Sequence, residues 1–178
     1  MSQRSFVGFR FACAACVLTA AQAFADAPLP PPDRVVACAS SGAVCAESDP
    51  KSNATRVVRQ SDGALLWSVP GWHRWIFVSE DGRSMALGYS GMNLVPRNVD
   101  MNLEVMRVYS DGHLVRALRL SDLYDDRAQL PPTSSHLMWV EGVTVNNVNH
   151  LVLKLVTGKT MAFSMSTGEQ LPASGSSS

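Results

Sequence analysis

The chain has 178 residues, with 15 basic and 15 acidic side chains and a formal net charge of zero. This balance gives no broad electrostatic reason to expect nucleic acid or an anionic membrane as a partner. A chain of this length can bury one ordinary hydrophobic core, so we expect a single domain.

Residues 1–25 have the parts of a secretory signal peptide. Arg4 and Arg10 form a basic start, the stretch 11–21 is apolar and uncharged, and Ala23-Phe24-Ala25 has the Ala-x-Ala form that signal peptidase accepts. The apolar stretch is too short for a bilayer core of about 30 Å, and no later segment qualifies as a transmembrane helix. We therefore expect a periplasmic or secreted protein, which keeps 13 of the 15 basic residues after cleavage.

The segment 26–36 is predicted to be a proline-rich spacer. Each of its prolines fixes φ and restrains the preceding residue, so the chain should be extended and polyproline-like. A single β domain is expected over residues 37–170. Residues 171–178, which are rich in serine, are expected to form a disordered tail. The prolines concerned are Pro28, Pro30, Pro31 and Pro32.

Cys38 and Cys45 are the two cysteines that remain after removal of the leader. In an oxidising compartment, two cysteines this close in sequence favour a disulfide bond. One alternative is a metal-binding pair, but the segment has no neighbouring histidine or cysteine to complete a site. The other is a redox-active pair, which usually has C-x-x-C spacing.

The rest of the chain has the period-two alternation of β-hairpins. In residues 160–166, Met161, Phe163 and Met165 alternate with small or polar residues, which predicts one buried face. Turn glycines separate similar segments, and Ser121 is predicted to cap a short helical turn over 121–126. The predicted strands are 56–60, 64–69, 75–79, 84–89, 103–109, 113–120, 137–144, 150–156 and 160–166.

Two stretches of these hairpins resemble propeller blades. The sequence Ser-Asp-Gly-Ala-Leu-Leu-Trp at 61–67 is similar to the core of the quinoprotein-like repeat, and residues 78–86 resemble a strand turn of WD40-type blades. The resemblance covers about residues 56–169 and roughly two and a half blade-like units, whereas closed propellers typically have four to eight blades. It implies an all-β fold of antiparallel hairpins that form an open propeller-like or sandwich sheet.

No catalytic, metal-binding or cofactor motif is present in the sequence. We therefore expect no catalytic residues, no bound metal ion and no cofactor. The histidines are too scattered for a local metal motif, and the acidic residues of the long loop are interpreted as solvated. The histidines are His73, His113, His136 and His150, and the acidic loop residues are Asp122, Asp125 and Asp126.

The segment Trp72-His73-Arg74-Trp75 is the strongest candidate site. Two tryptophans that bracket a His-Arg pair can form a stacking platform for a peptide or a sugar ring, with a cation–π contact from Arg74. In a strand, however, Trp72 and His73 face opposite sides. Trp75 begins an apolar run, so a competing interpretation places at least Trp75 in the core.

We therefore predict an exported, non-catalytic binding module that displays loops on a β scaffold, with an envelope or extracellular protein or peptide as its partner. The alternative is a small extracytoplasmic hydrolase whose site assembles from loop carboxylates and histidines, namely Asp125, Asp126, His136 and His150. The sequence favours the binding module because it offers no nucleophile–base pattern. It leaves the partner's identity and the oligomeric state open.

Overall fold

The computed structural model describes residues 28–172, so the predicted leader and residues 173–178 of the predicted tail lie outside the described residues. Within this range the chain is almost entirely β. The strands are β1 (Val35–Cys38), β2 (Val44–Asp49), β3 (Ala54–Arg59), β4 (Leu65–Pro70), β5 (Ile76–Val78), β6 (Ser84–Gly88), β7 (Leu94–Pro96), β8 (Glu104–Ser110), β9 (His113–Arg119), β10 (His136–Met138), β11 (Val140–Val145), β12 (His150–Leu155), β13 (Thr160–Ser164) and β14 (Gln170–Leu171). A helical turn, α1 (Leu120–Leu123), and a 3-10 turn at Arg127–Gln129 follow β9.

Twelve of the strands form three four-stranded antiparallel sheets that follow one another along the chain. The first sheet is β1-β2-β3-β4, the second is β5-β6-β8-β9, and the third is β11-β12-β13-β14. Strand β7 lies between β6 and β8 in the sequence but pairs with β10 in a two-stranded ribbon outside the second sheet. The three sheets do not close into a ring within residues 28–172, so the fold is all-β, open and propeller-like, as the sequence predicts.

Two hydrophobic clusters lie between the three sheets. One joins the first and second sheets, and the other joins the second and third. Strand β6 belongs to both, since Met85 and Leu87 lie in the first cluster and Ala86 lies in the second. Because successive side chains of a strand point to opposite faces, the middle sheet is buried on both sides. Each sheet is thus stabilised by face-to-face packing against its neighbour.

Glu80 connects the turns of all three sheets. Its carboxylate accepts hydrogen bonds from the Ser40 and Ser41 amides in the turn between β1 and β2, at 2.7 and 3.2 Å. Its own amide donates to Asn149 Oδ1, in the turn between β11 and β12, at 3.0 Å. Hydrogen bonds from Ser41 and Ser40 hold the pKa of the Glu80 carboxyl below its ordinary value. The carboxylate is therefore charged at neutral pH and links the sheets at this end.

The predicted hairpins are present. At the turn between β8 and β9, Ser110 pairs with His113, and Asp111 and Gly112 have φ angles of +46° and +82°. Positive φ at both central residues is the type I′ geometry that Asp-Gly favours. No helix among residues 28–172 is long and apolar enough to cross a membrane.

Three sequence-based expectations need correction. Ser121 does not cap the helical turn, because Arg119 is the N-cap and its amide donates to Asp122 Oδ2 at 2.8 Å. The predicted strand 137–144 is divided between β10 and β11, with a register shift between Val140 and Gly142. Strands also lie outside the predicted set. These additional strands are β1, β2, β7 and β14.

The Cys38–Cys45 disulfide is formed in the structure. The two residues are directly opposite each other on β1 and β2, with their Cα atoms 3.9 Å apart. The bond therefore joins the first strand of the fold to its neighbour. The loop that it closes is short, so its effect on stability should be local.

We expect the double substitution Cys38→Ser and Cys45→Ser to lower the free energy of unfolding by about 2–3 kcal/mol, because a disulfide across so short a loop restricts the unfolded chain by about that amount. Urea unfolding of the oxidised protein and the variant measures the difference. Reduction of the unchanged protein is the matched control and should give the same loss. A variant as stable as the oxidised protein would contradict the prediction.

Candidate functional site

The candidate site lies where the chain passes from the first sheet to the second, between β4 and β5. Gly71 starts this turn with φ at +96°, and its amide donates to the Asn53 carbonyl at 2.8 Å. The Trp72 amide donates to Asn53 Oδ1 at 3.1 Å, and the His73 amide donates to Ser48 Oγ at 2.7 Å. The first sheet thus holds the main chain of this turn in place.

Trp72 and Arg74 form one surface unit, which we call the Trp72–Arg74 corner. The Arg74 guanidinium lies 5.2 Å from the centroid of the Trp72 ring, within the range of a cation–π contact. Each side chain also donates to a main-chain carbonyl of the proline-rich segment. Trp72 Nε1 donates to the Asp33 carbonyl, and Arg74 Nη2 donates to the Pro30 carbonyl, both at 2.7 Å.

Trp75 is placed differently and packs against the second hydrophobic cluster. Its ring lies edge-on to Trp139, with centroids 6.0 Å apart, and is tilted against Phe77 at 5.5 Å. A Cβ atom at Gly88 would lie 2.4 Å from the Trp75 ring, so the tryptophan rests directly on the glycine backbone. The structure therefore brings Trp72 and Arg74 together, whereas the partly buried Trp75 packs against the second hydrophobic cluster.

His73 lies beside a groove of about 270 Å³ that Trp72, Tyr89, Glu104 and Arg107 also line. Burial holds the pKa of the His73 imidazole below its ordinary value of 6.5, and the positive charge of Arg107 acts in the same direction. A hydrogen bond with the Pro70 carbonyl opposes both effects. Below pH 6.5 the folded protein therefore protonates this imidazole less readily than the unfolded chain does.

This difference predicts a pH-dependent stability. As the pH falls below 6.5, the unfolded chain takes up the proton first, so the free energy of unfolding decreases until the pH passes the folded pKa. Well above pH 6.5 the imidazole is neutral in both states and contributes no slope. Melting temperatures of the protein and of His73→Gln between about pH 5 and pH 7.5 should diverge only on the acidic side. Parallel curves would contradict the assignment.

Tyr89 adjoins three surface grooves and was not found from the sequence. It lines the groove beside His73, a second of about 410 Å³ with Val99 and Leu103, and a third of about 440 Å³. The third also contains Pro28 and Leu29 of the proline-rich segment. The aromatic side chain of Tyr89 directly after Gly88 is a sequence signal for a binding surface. Nothing in the local sequence indicates that the proline-rich segment lies beside Tyr89.

The residues of the alternative hydrolase site lie in the loop after α1 and in strands β10 and β12. The Asp126 carboxylate accepts from the Ala128 amide at 2.9 Å and caps the 3-10 turn. His136 lies in β10, with Nδ1 2.8 Å from Ser135 Oγ, and His150 begins β12. The Asp125 amide donates to the Gln129 side chain. Within residues 28–172, no three His, Cys, Asp or Glu side chains form a group that could hold a metal ion.

Comparison with solved structures finds weak alignments, among them with WD40 and β-propeller domains. The WD40 repeats of RRP9 align with a TM-score of 0.41 at 9% identity, over 77% of this chain and 36% of that chain. A hydrazine synthase from Kuenenia stuttgartiensis aligns with a TM-score of 0.39 at 17% identity, over 77% and 35%. The β-propeller domain of Cps50 (Swd1) from Myceliophteria thermophila aligns with a TM-score of 0.34 at 9% identity, over 77% and 39%.

This chain therefore spans between 35% and 39% of the length of these structures. The sequence matches no protein-family model and no curated protein. The three open antiparallel sheets agree with the open, propeller-like sheet predicted from the sequence.

Proposed function

We propose that this protein is an exported, non-catalytic recognition module whose Trp72–Arg74 corner binds an envelope or extracellular protein or peptide. Export is supported by the features of residues 1–25, which have the form of a signal peptide. Recognition is supported by the corner itself, in which a partly exposed indole and guanidinium lie in cation–π contact. Tryptophan and arginine are enriched at the residues that contribute most to binding energy in protein interfaces.

One observation carries this proposal. The side-chain N–H groups of Trp72 and Arg74 both donate to main-chain carbonyls of an extended segment, each at 2.7 Å. Main-chain carbonyls are present in any peptide, so this pair of donors suits a polypeptide partner. The cation–π contact between the two side chains holds the two donors in one relative orientation, which reduces the entropy lost on binding.

The test is capture of partners from an envelope extract, followed by titration of the recovered partner against the purified protein. Replacing Trp72 with alanine should weaken binding by about 2 kcal/mol, or about 30-fold in Kd, which is the scale of a hot-spot aromatic residue. Stability should fall by only about 1 kcal/mol, because the partly buried Trp72 ring lies outside both hydrophobic clusters.

Leu65→Ala is the matched control. Leu65 begins β4 of the first sheet and is 57% exposed, so its truncation removes apolar surface at a position away from the corner. The control should bind as tightly as the unchanged protein. Equal affinity of Trp72→Ala and the unchanged protein for the recovered partner would contradict the proposal.

A further inference from the structure

We propose that the ligand of the Trp72–Arg74 corner is an extended proline-rich peptide held by its main-chain carbonyls, and that residues 28–33 of this chain occupy the site in cis. This inference rests on the proposed function, because it names the class of partner for the same corner. It also assigns a role to the segment that the sequence indicates only as a spacer.

The spacing of the two accepted carbonyls matches a polyproline II helix. That conformation has three residues per turn and a rise of about 3.1 Å per residue, so carbonyls three residues apart point to the same side, about 9 Å from each other. Pro30 and Asp33 are three residues apart, and their carbonyls accept from Arg74 and Trp72, respectively. A polyproline II segment makes no internal hydrogen bonds, so its carbonyls are available to such donors.

The segment also has an apolar contact beyond the two hydrogen bonds. Pro28 and Leu29 form one wall of the groove of about 440 Å³, and Tyr89, Met92 and Leu94 also line it. Leu29 is 47% exposed, so roughly half of its surface is covered. Aromatic-lined grooves beside N–H donors are the usual means by which proteins bind polyproline II ligands.

The cis contact can be exchanged for an external peptide. All residues from 28 to 34 are exposed, and strand pairing begins only at Val35. Release of the segment therefore breaks no strand pairing. A tethered segment competes with an external peptide at an effective concentration in the mM range, so the cis contact reduces the apparent affinity for a partner.

The experiment compares the exported protein with a variant in which Pro30, Pro31 and Pro32 are replaced by glycine. The probe is a synthetic peptide with the sequence of residues 28–34, Pro-Leu-Pro-Pro-Pro-Asp-Arg, titrated by calorimetry. The glycines make ordering of the cis segment more costly, and this should free the corner. We expect the peptide to bind the glycine variant about tenfold more tightly than the unchanged protein.

Two further substitutions in the glycine variant locate the binding site. Trp72→Phe keeps an aromatic ring but removes the indole N–H, and Arg74→Gln removes the guanidinium; each should reduce peptide affinity by about tenfold. Arg59→Gln is the matched control, because Arg59 lies in the first sheet and pairs with Asp62 at 3.1 Å away from the corner. It should leave peptide binding unchanged. Equal melting temperatures of the three variants establish that each one is folded.

The outcomes separate this inference from the proposed function. The inference is overturned if the peptide binds neither protein, if a peptide with glycines in place of the prolines binds equally well, or if Trp72→Phe leaves the affinity unchanged. If Trp72→Ala loses an envelope partner that the proline peptide does not displace, the corner recognises other chemistry. In that case the proposed function stands and this inference fails.

Discussion

Replacing Trp139 with alanine should lower the free energy of unfolding by about 3–5 kcal/mol, the usual range for truncation of a buried tryptophan. Trp139 lies between β10 and β11 and is fully buried. Its Nε1 donates to the Met92 carbonyl at 2.7 Å, and its own carbonyl accepts from the Tyr124 hydroxyl. The alanine variant therefore loses apolar contacts, leaves a cavity and deprives the Met92 carbonyl of its donor.

Urea unfolding measures this free energy, and the variant Trp139→Phe separates the contribution of packing from that of the hydrogen bond to the Met92 carbonyl. Phenylalanine fills most of the space but cannot donate to Met92, so its loss should fall between zero and that of alanine. Leu114→Ala is the control, because Leu114 is 53% exposed and its truncation should change stability by less than about 0.5 kcal/mol. A Trp139→Ala variant within about 1 kcal/mol of the unchanged protein would show that this tryptophan is not central to the core.

The strands that the sequence predicts well are those with one buried face and a defined turn. In β13, Met161 and Phe163 are buried while Thr160 is exposed, so the alternation in the sequence corresponds to the two faces of the sheet. The turn before β13 contains Gly158 at φ +83°, a conformation that side chains disfavour. These signals are local, and local patterns are visible in one sequence.

Strand β2 escaped prediction because it has small and polar residues on a buried face. Ser48 is fully buried in β2, and its hydroxyl is paired with that of Thr55 in β3 at 2.9 Å. Burial of such a group is acceptable only when a partner satisfies its hydrogen bonds. For Ser48 that partner is Thr55 on another strand, so the sequence of β2 alone does not predict a strand.

The candidate site divides in the same way. The sequence indicates Trp72 and Arg74 because indole and guanidinium groups suit recognition, whatever their surroundings. It does not indicate the contacts with Asp33 and Pro30, which are 39 and 44 residues earlier in the chain. Contacts over such separations depend on how the first and second sheets pack. Local alternation also left the position of Trp75 open between surface and core.

Replacing Trp75 with alanine should lower the free energy of unfolding by about 3 kcal/mol, at the lower end of the range for a tryptophan because the ring is only partly buried. The ring covers Gly88 and meets the edge of Trp139, so its removal opens the second hydrophobic cluster. Partner binding, measured at a temperature where the variant is folded, should nevertheless stay unchanged. Among the described contacts, Trp72 and Arg74 reach the proline-rich segment, and the ring contacts of Trp75 are with Phe77 and Trp139.

The comparison with Trp72→Ala makes this prediction decisive, because the two tryptophans are three residues apart and differ in what they contact. Melting curves and peptide titrations of both variants should show a loss of stability with retained binding for Trp75→Ala, and the reverse for Trp72→Ala. If Trp75→Ala loses binding while its melting temperature is unchanged, both rings belong to the recognition surface. The recognition surface would then extend from Trp72 and Arg74 to Trp75, next to β5. The stability of the second hydrophobic cluster would then depend on Trp139 and not on Trp75.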